Sequence, residues 1–130
     1  MNKFESIYRI LLAFMLVDNQ IDENEKKVIL EFLNTKFWNE IPKERQSISV
    51  QKQLMSFENF IKDAELAYNN FYTEDLYEVL DFVSKMIKSD WDIDSKEVKL
   101  FEVLISKWRI SKDIMWLLWI NKSLWSKFFK

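Results

Sequence analysis

The sequence contains no cysteine, no histidine and no glycine, and it has a single proline. Without cysteine the chain forms no disulfide and offers no thiolate as a nucleophile or zinc ligand. Without histidine it lacks the commonest general base near neutral pH and the commonest ligand of transition metals. A catalytic site would have to be built from carboxylates, lysine, tyrosine or serine, so we expect that the protein is not an enzyme.

The absence of glycine also argues against a β-rich fold. β-Hairpins and tight reverse turns need residues with positive φ, and glycine adopts that geometry at the lowest energetic cost. The chain has 130 residues, of which 48% are apolar and 31% charged, so it can bury a core. We therefore predict one all-α domain over residues 1–130, a helical bundle of five to seven helices.

The hydrophobic runs near the start are short and interrupted. The run LLAFMLV at residues 11–17 is far shorter than the roughly 20 residues that span a bilayer. Glu5 and Arg9 interrupt the segment that would be apolar in a signal peptide. We expect a cytoplasmic protein whose contact with the inner membrane, if it has one, is peripheral.

The net charge of −2 hides an uneven distribution along the chain. Residues 107–130 hold six basic residues and one acidic residue, a net charge of +5, whereas residues 1–106 carry −7. The basic end favours an acidic partner or surface. Nucleic acid is not an expected partner, because no recognised binding motif occurs and an acidic chain repels phosphate.

Apolar residues recur at helical spacing along the chain, which predicts amphipathic helices. The apolar face of the first helix comprises Phe4, Ile7, Tyr8, Leu11, Leu12 and Met15. The apolar face of the second comprises Val28, Ile29, Phe32 and Leu33. A third helix is predicted from about Ser47 to Asn70, and a last one over about residues 112–129.

One acidic pattern occurs twice, 72 residues apart. Residues 18–25 read DNQIDENE and residues 90–97 read DWDIDSKE, with Asp, Ile, Asp and Glu in the same register. Each copy separates two predicted helices. The repeat therefore predicts two related αα-hairpins, over about residues 4–36 and 74–108, with the third helix between them.

Helix capping is the first of two interpretations of these turns. Asp22 with Glu25, and Asp94 with Glu97, each fit a capping box, in which two side chains satisfy free amides at a helix start. Capping leaves Asp18 and Asp90 unexplained, and acids at the ends of the preceding helices would oppose the helix dipole.

Cation binding is the second interpretation, and both stay open. Carboxylate oxygens suit hard divalent cations such as Mg²⁺ or Ca²⁺. The candidate ligands are Asp18, Asp22, Glu25, Asp90, Asp92, Asp94 and Glu97. The start of the second turn imitates an EF-hand loop, but Ser95 stands where that loop needs glycine and Phe101 where it needs glutamate, so an EF-hand is excluded.

These turns resemble the tellurite-resistance TerB family. The family turn reads roughly A-D-G-x-I-D-x-x-E, and the chain has VDNQIDENE at residues 17–25 and SDWDIDSKE at residues 89–97. Asn19 and Trp91 stand where the family has glycine, and tryptophan adopts left-handed geometry poorly. The likeness covers the helical organisation of about residues 4–110.

The resemblance implies a helical bundle with two pseudo-symmetric halves and acidic turns that hold a divalent metal. It also implies a non-catalytic adaptor that binds partner proteins in a bacterial stress-response or phage-defence system, often near the membrane. A small acidic inhibitor or immunity-type protein that blocks a toxin or nuclease is the alternative hypothesis. A carboxylate-metal hydrolase is a third, and it would require the two acidic turns to meet in one cleft.

The segment SKDIMWLLWINKSLWSKFFK ends the chain. Its main apolar stripe, centred on Ile114 and Trp125, predicts a helix that docks on the bundle. Trp116 and Trp119 lie away from that stripe. We predict that at least one of them is exposed beside Lys112 or Lys127, where it contacts a protein partner or a membrane interface.

The capping interpretation predicts the cost of one substitution. Asp22→Ala should lower the free energy of unfolding by about 1 kcal/mol with or without a divalent cation, because the amide at the helix start loses its acceptor. Chemical denaturation in EDTA and in added Ca²⁺ measures both values. An unchanged denaturation curve would contradict the capping role.

Overall fold

The structure, a computed structural model, describes residues 3–16, 23–37, 41–89 and 95–110. These residues form six α-helices and one 3₁₀ helix at Lys43–Arg45, with no β-strand among them. The α-helices are α1 Lys3–Leu16, α2 Glu23–Phe37, α3 Ile48–Gln53, α4 Phe57–Asn70, α5 Thr73–Ser89 and α6 Ser95–Lys107. The predicted all-α bundle of five to seven helices is confirmed.

The chain divides into two compact units, Met1–Asn70 and Phe71–Lys130. The first unit contains α1 to α4 with the 3₁₀ helix, and the second contains α5 and α6. The predicted hairpins 4–36 and 74–108 would comprise α1 with α2 and α5 with α6. Because residues 17–22 and 90–94 lie outside the described residues, the superposition of the two hairpins stays a prediction, as does the helix over 112–129.

Helix α1 is the centre of the first unit. Its buried residues run without a break from Glu5 to Leu12 and include Phe14. Both α2 and α4 pack against it. The sequence predicted one apolar face, and the structure instead buries the middle of the helix on every side, since it has neighbours on more than one side.

Aromatic contacts show the direction in which α2 and α4 run relative to α1. The Phe4 ring lies 5.6 Å from that of Phe37, which joins the start of α1 to the end of α2. The Phe14 ring lies 6.0 Å from that of Phe60, which joins the end of α1 to the start of α4. Both neighbours therefore run antiparallel to α1.

Helix α2 packs on α1 along a narrow stripe. Ile29 and Leu33 are its buried residues, and the ring of Phe32 lies 6.4 Å from that of Phe37. The prediction that Val28 belongs to the apolar face is wrong, because this side chain is 50% exposed. The apolar pattern of α2 is therefore broader than the face that it buries.

The predicted third helix, from about Ser47 to Asn70, is wrong at its middle, where residues 54–56 separate α3 from α4. Ser56 Oγ accepts a hydrogen bond of 3.0 Å from the Asn59 amide, which caps the start of α4. The Asn59 side chain donates to the Leu54 carbonyl at 2.6 Å. These local polar bonds compete with a continuous helix, and apolar spacing does not reveal them.

In the second unit each helix buries one face. Where the structure describes side-chain burial in α5, the buried residues are Leu76, Val79, Leu80, Val83 and Ser84. In the correspondingly described part of α6 and the turn after it, they are Glu97, Phe101, Leu104, Trp108 and Ile110. Both sets follow helical spacing, as the sequence predicts for amphipathic helices.

Helix α6 ends in a Schellman motif at Arg109. The Ile110 amide donates to the Ile105 carbonyl at 3.1 Å, and the Arg109 amide donates to the Ser106 carbonyl at 3.3 Å. Arg109 has a φ of 53°, a left-handed geometry that most helices place on glycine. In a chain without glycine, an arginine carries the steric cost.

Substitution of Arg109 tests how much its left-handed geometry destabilises the fold. Arg109→Gly should raise the free energy of unfolding by about 1 kcal/mol, because glycine adopts positive φ without the Cβ clash. Arg109→Ala is the matched control, since it removes the same side chain and keeps Cβ. Urea denaturation of both variants gives the comparison, and an equal gain for alanine would contradict the steric explanation.

Candidate functional site

Two of the seven acidic residues predicted as metal ligands lie in the described part of the chain. Glu25 and Glu97 each occupy the third position of their helix, because α2 begins at Glu23 and α6 at Ser95. That is the position a capping box requires of its glutamate. Glu97 is 4% exposed, and Glu25 is half-buried.

The other five predicted ligands, Asp18, Asp22, Asp90, Asp92 and Asp94, lie outside the described residues. Within residues 3–16, 23–37, 41–89 and 95–110 no group of three acidic side chains is placed to hold a metal ion. The cation site therefore stays a prediction.

The predicted partner-binding residues Lys112, Trp116, Trp119 and Lys127 also lie outside the described residues, so their exposure stays a prediction. None of the helices in the described ranges is long and apolar enough to cross a membrane.

The structure also assembles a buried polar cluster that the sequence analysis missed. Its members come from four different elements of the first unit. They are Glu5 and Arg9 of α1, Arg45 of the 3₁₀ helix, Gln51 of α3 and Asp63 of α4. We call this set the arginine cluster.

Arg9 is at the centre of the arginine cluster and joins α1 to α4. Its Nε donates to Asp63 Oδ2 at 2.7 Å and its Nη2 donates to Asp63 Oδ1 at 3.1 Å, a bidentate pair. Its Nη1 donates to Gln51 Oε1 at 3.0 Å and to Glu5 Oε2 at 3.2 Å. One guanidinium thus connects three helices.

Arg45 makes the second bidentate pair. Its Nε donates to Glu5 Oε1 at 3.0 Å and its Nη2 donates to Glu5 Oε2 at 2.7 Å. Gln51 holds both partners, since its Nε2 donates to Glu5 Oε2 at 3.3 Å and to the Arg45 carbonyl at 2.7 Å.

The opposite charges of the arginine cluster compensate one another, which lowers the energetic cost of burying them. Two guanidiniums face two carboxylates, and Glu5, Arg9 and Asp63 are each at most 5% exposed. The hydrogen bond from Arg45 lowers the pKa of Glu5 against the opposing effect of burial. Burial alone would lower the pKa of Arg9, but the hydrogen bonds and negative charges of Asp63 and Glu5 outweigh it and raise that pKa.

A hydrogen bond from Tyr8 also attaches the segment around Gln46 to α1. Its hydroxyl donates to the Gln46 carbonyl at 2.7 Å, and the Gln46 side chain donates to the Ile41 carbonyl at 2.6 Å. Burial, with the nearby charge of Glu23, raises the pKa of Tyr8 to about 12. The hydroxyl is therefore a protonated donor at neutral pH and serves packing rather than acid–base chemistry.

The arginine cluster is suited to holding structure. Its four charged groups are paired with one another at hydrogen-bond distance, an arrangement that fixes the position of residues 41–54 on α1. A general acid or base needs a group that can reach a reacting proton. The geometry favours cross-linking of helices over catalysis.

Comparison with known proteins gives no relative. The chain matches no protein-family model, no curated protein and no solved structure. The TerB-like resemblance therefore rests on the acidic turns and the helical organisation.

Removing one charge of the arginine cluster should lower the free energy of unfolding. Glu5→Gln should lower the free energy of unfolding at pH 7 by about 2 kcal/mol, because it replaces charge-assisted hydrogen bonds with neutral ones and leaves two guanidiniums with one carboxylate. Glu58→Gln is the control, since its pair with Lys62 is exposed and should contribute under about 1 kcal/mol.

The cost of Glu5→Gln should depend on pH. The pKa of Glu5 is lowered in the folded state from 4.5, so its contribution is present above that value and is lost as pH falls through the folded-state pKa. Denaturation curves of wild type and variant should therefore converge in acid. A pH-independent difference would contradict the charged role of Glu5.

Proposed function

We propose that the protein is a non-enzymatic, TerB-like adaptor of a bacterial stress-response or phage-defence system. One observation carries the proposal: both copies of the acidic pattern lead into a helix with the same register. Glu25 and Glu97 are each the third residue of their helix, 72 positions apart. A repeated helix–acidic turn–helix organisation supports the resemblance to TerB.

The described polar groups support a binding role over a catalytic one. The buried charges of the first unit are engaged in the arginine cluster, and the buried Tyr8 hydroxyl is held by the Gln46 carbonyl. Charged groups that pair with one another inside the protein are not free to act on a substrate, so we propose that the function lies at the surface. We propose a protein partner, with the aromatic C-terminal segment as the contact and a peripheral membrane contact as a further role of that segment.

The acidic turns are proposed to bind a divalent cation, Mg²⁺ or Ca²⁺, in addition to capping. Carboxylates such as Asp18 and Asp90 are not required by the capping box, and oxygen ligands suit these ions. Bound cation would offset the negative charge that each turn places near a helix C-terminus.

The inhibitor hypothesis is favoured by a different observation. Glu74 and Glu78 are exposed one turn apart on α5, within a chain whose first 106 residues carry a net charge of −7. An acidic surface suits a basic toxin or nuclease site. Such an inhibitor should bind one enzyme with strong salt dependence and no metal requirement, whereas the adaptor should lose affinity when EDTA removes the cation.

The Trp116→Ala, Trp119→Ala double variant tests the adaptor proposal. We expect it to melt within about 2 °C of wild type, because exposed residues contribute little to stability. It should lose at least tenfold in affinity for the partner that wild type captures from its host, or in liposome flotation. Trp108→Ala is the contrast, because Trp108 is 1% exposed and its loss should lower the melting temperature.

Two outcomes would contradict this assignment. If the double variant unfolds, as Trp108→Ala is expected to, the segment is part of the core. If it keeps full affinity for the captured partner, the contact lies elsewhere.

A further inference from the structure

We draw no further inference here: the strongest candidate, the surface patch on α4 that carries the exposed rings of Phe57 and Tyr68 beside the half-buried Ile61, supports no proposal because nothing in the structure shows what covers it.

Discussion

The bidentate pair between Arg9 and Asp63 is the interaction on which the first unit depends. A guanidinium in the middle of a helix that is buried on every side must have a carboxylate partner, because an unpaired buried charge costs several kcal/mol. Asp63 meets this need from α4, 54 positions later in the chain. The pair thereby sets the position of α4 along α1 more narrowly than apolar packing alone, which tolerates small shifts.

The absence of glycine shapes the ends of the helices. Ser47 and Ser56 provide side-chain oxygens at the starts of α3 and α4, accepting from the amides of Val50 and Asn59. At the end of α6 the backbone turns through Arg109, with a positive φ. Serine caps a helix start through its side chain, whereas a left-handed helix end favours glycine or asparagine, and at the end of α6 an arginine adopts that geometry instead.

The sequence predicted the helical class because helical spacing is a local property. It did not predict the arginine cluster, although the spacing of Glu5 and Arg9 at i and i+4 was visible. The two residues interrupt an apolar segment, a signal that they are either surface residues or buried with partners. Arg45 and Asp63 lie 40 and 54 positions away from their α1 partners, and a single sequence holds no local pattern for such pairings.

The difference between local patterns and long-range pairings also separates the acidic turns from the arginine cluster. The acidic turns are local patterns, so the sequence located their helix starts, and the structure places Glu25 and Glu97 at the third position of their helices. The pairing of Glu5 with Arg45 and Gln51 is assembled from distant segments, and only the folded chain brings it together. Its carboxylate is compensated by a group that itself reaches solvent. Such a pairing depends on the complete fold, whereas an acidic turn can be recognised from a few neighbouring residues.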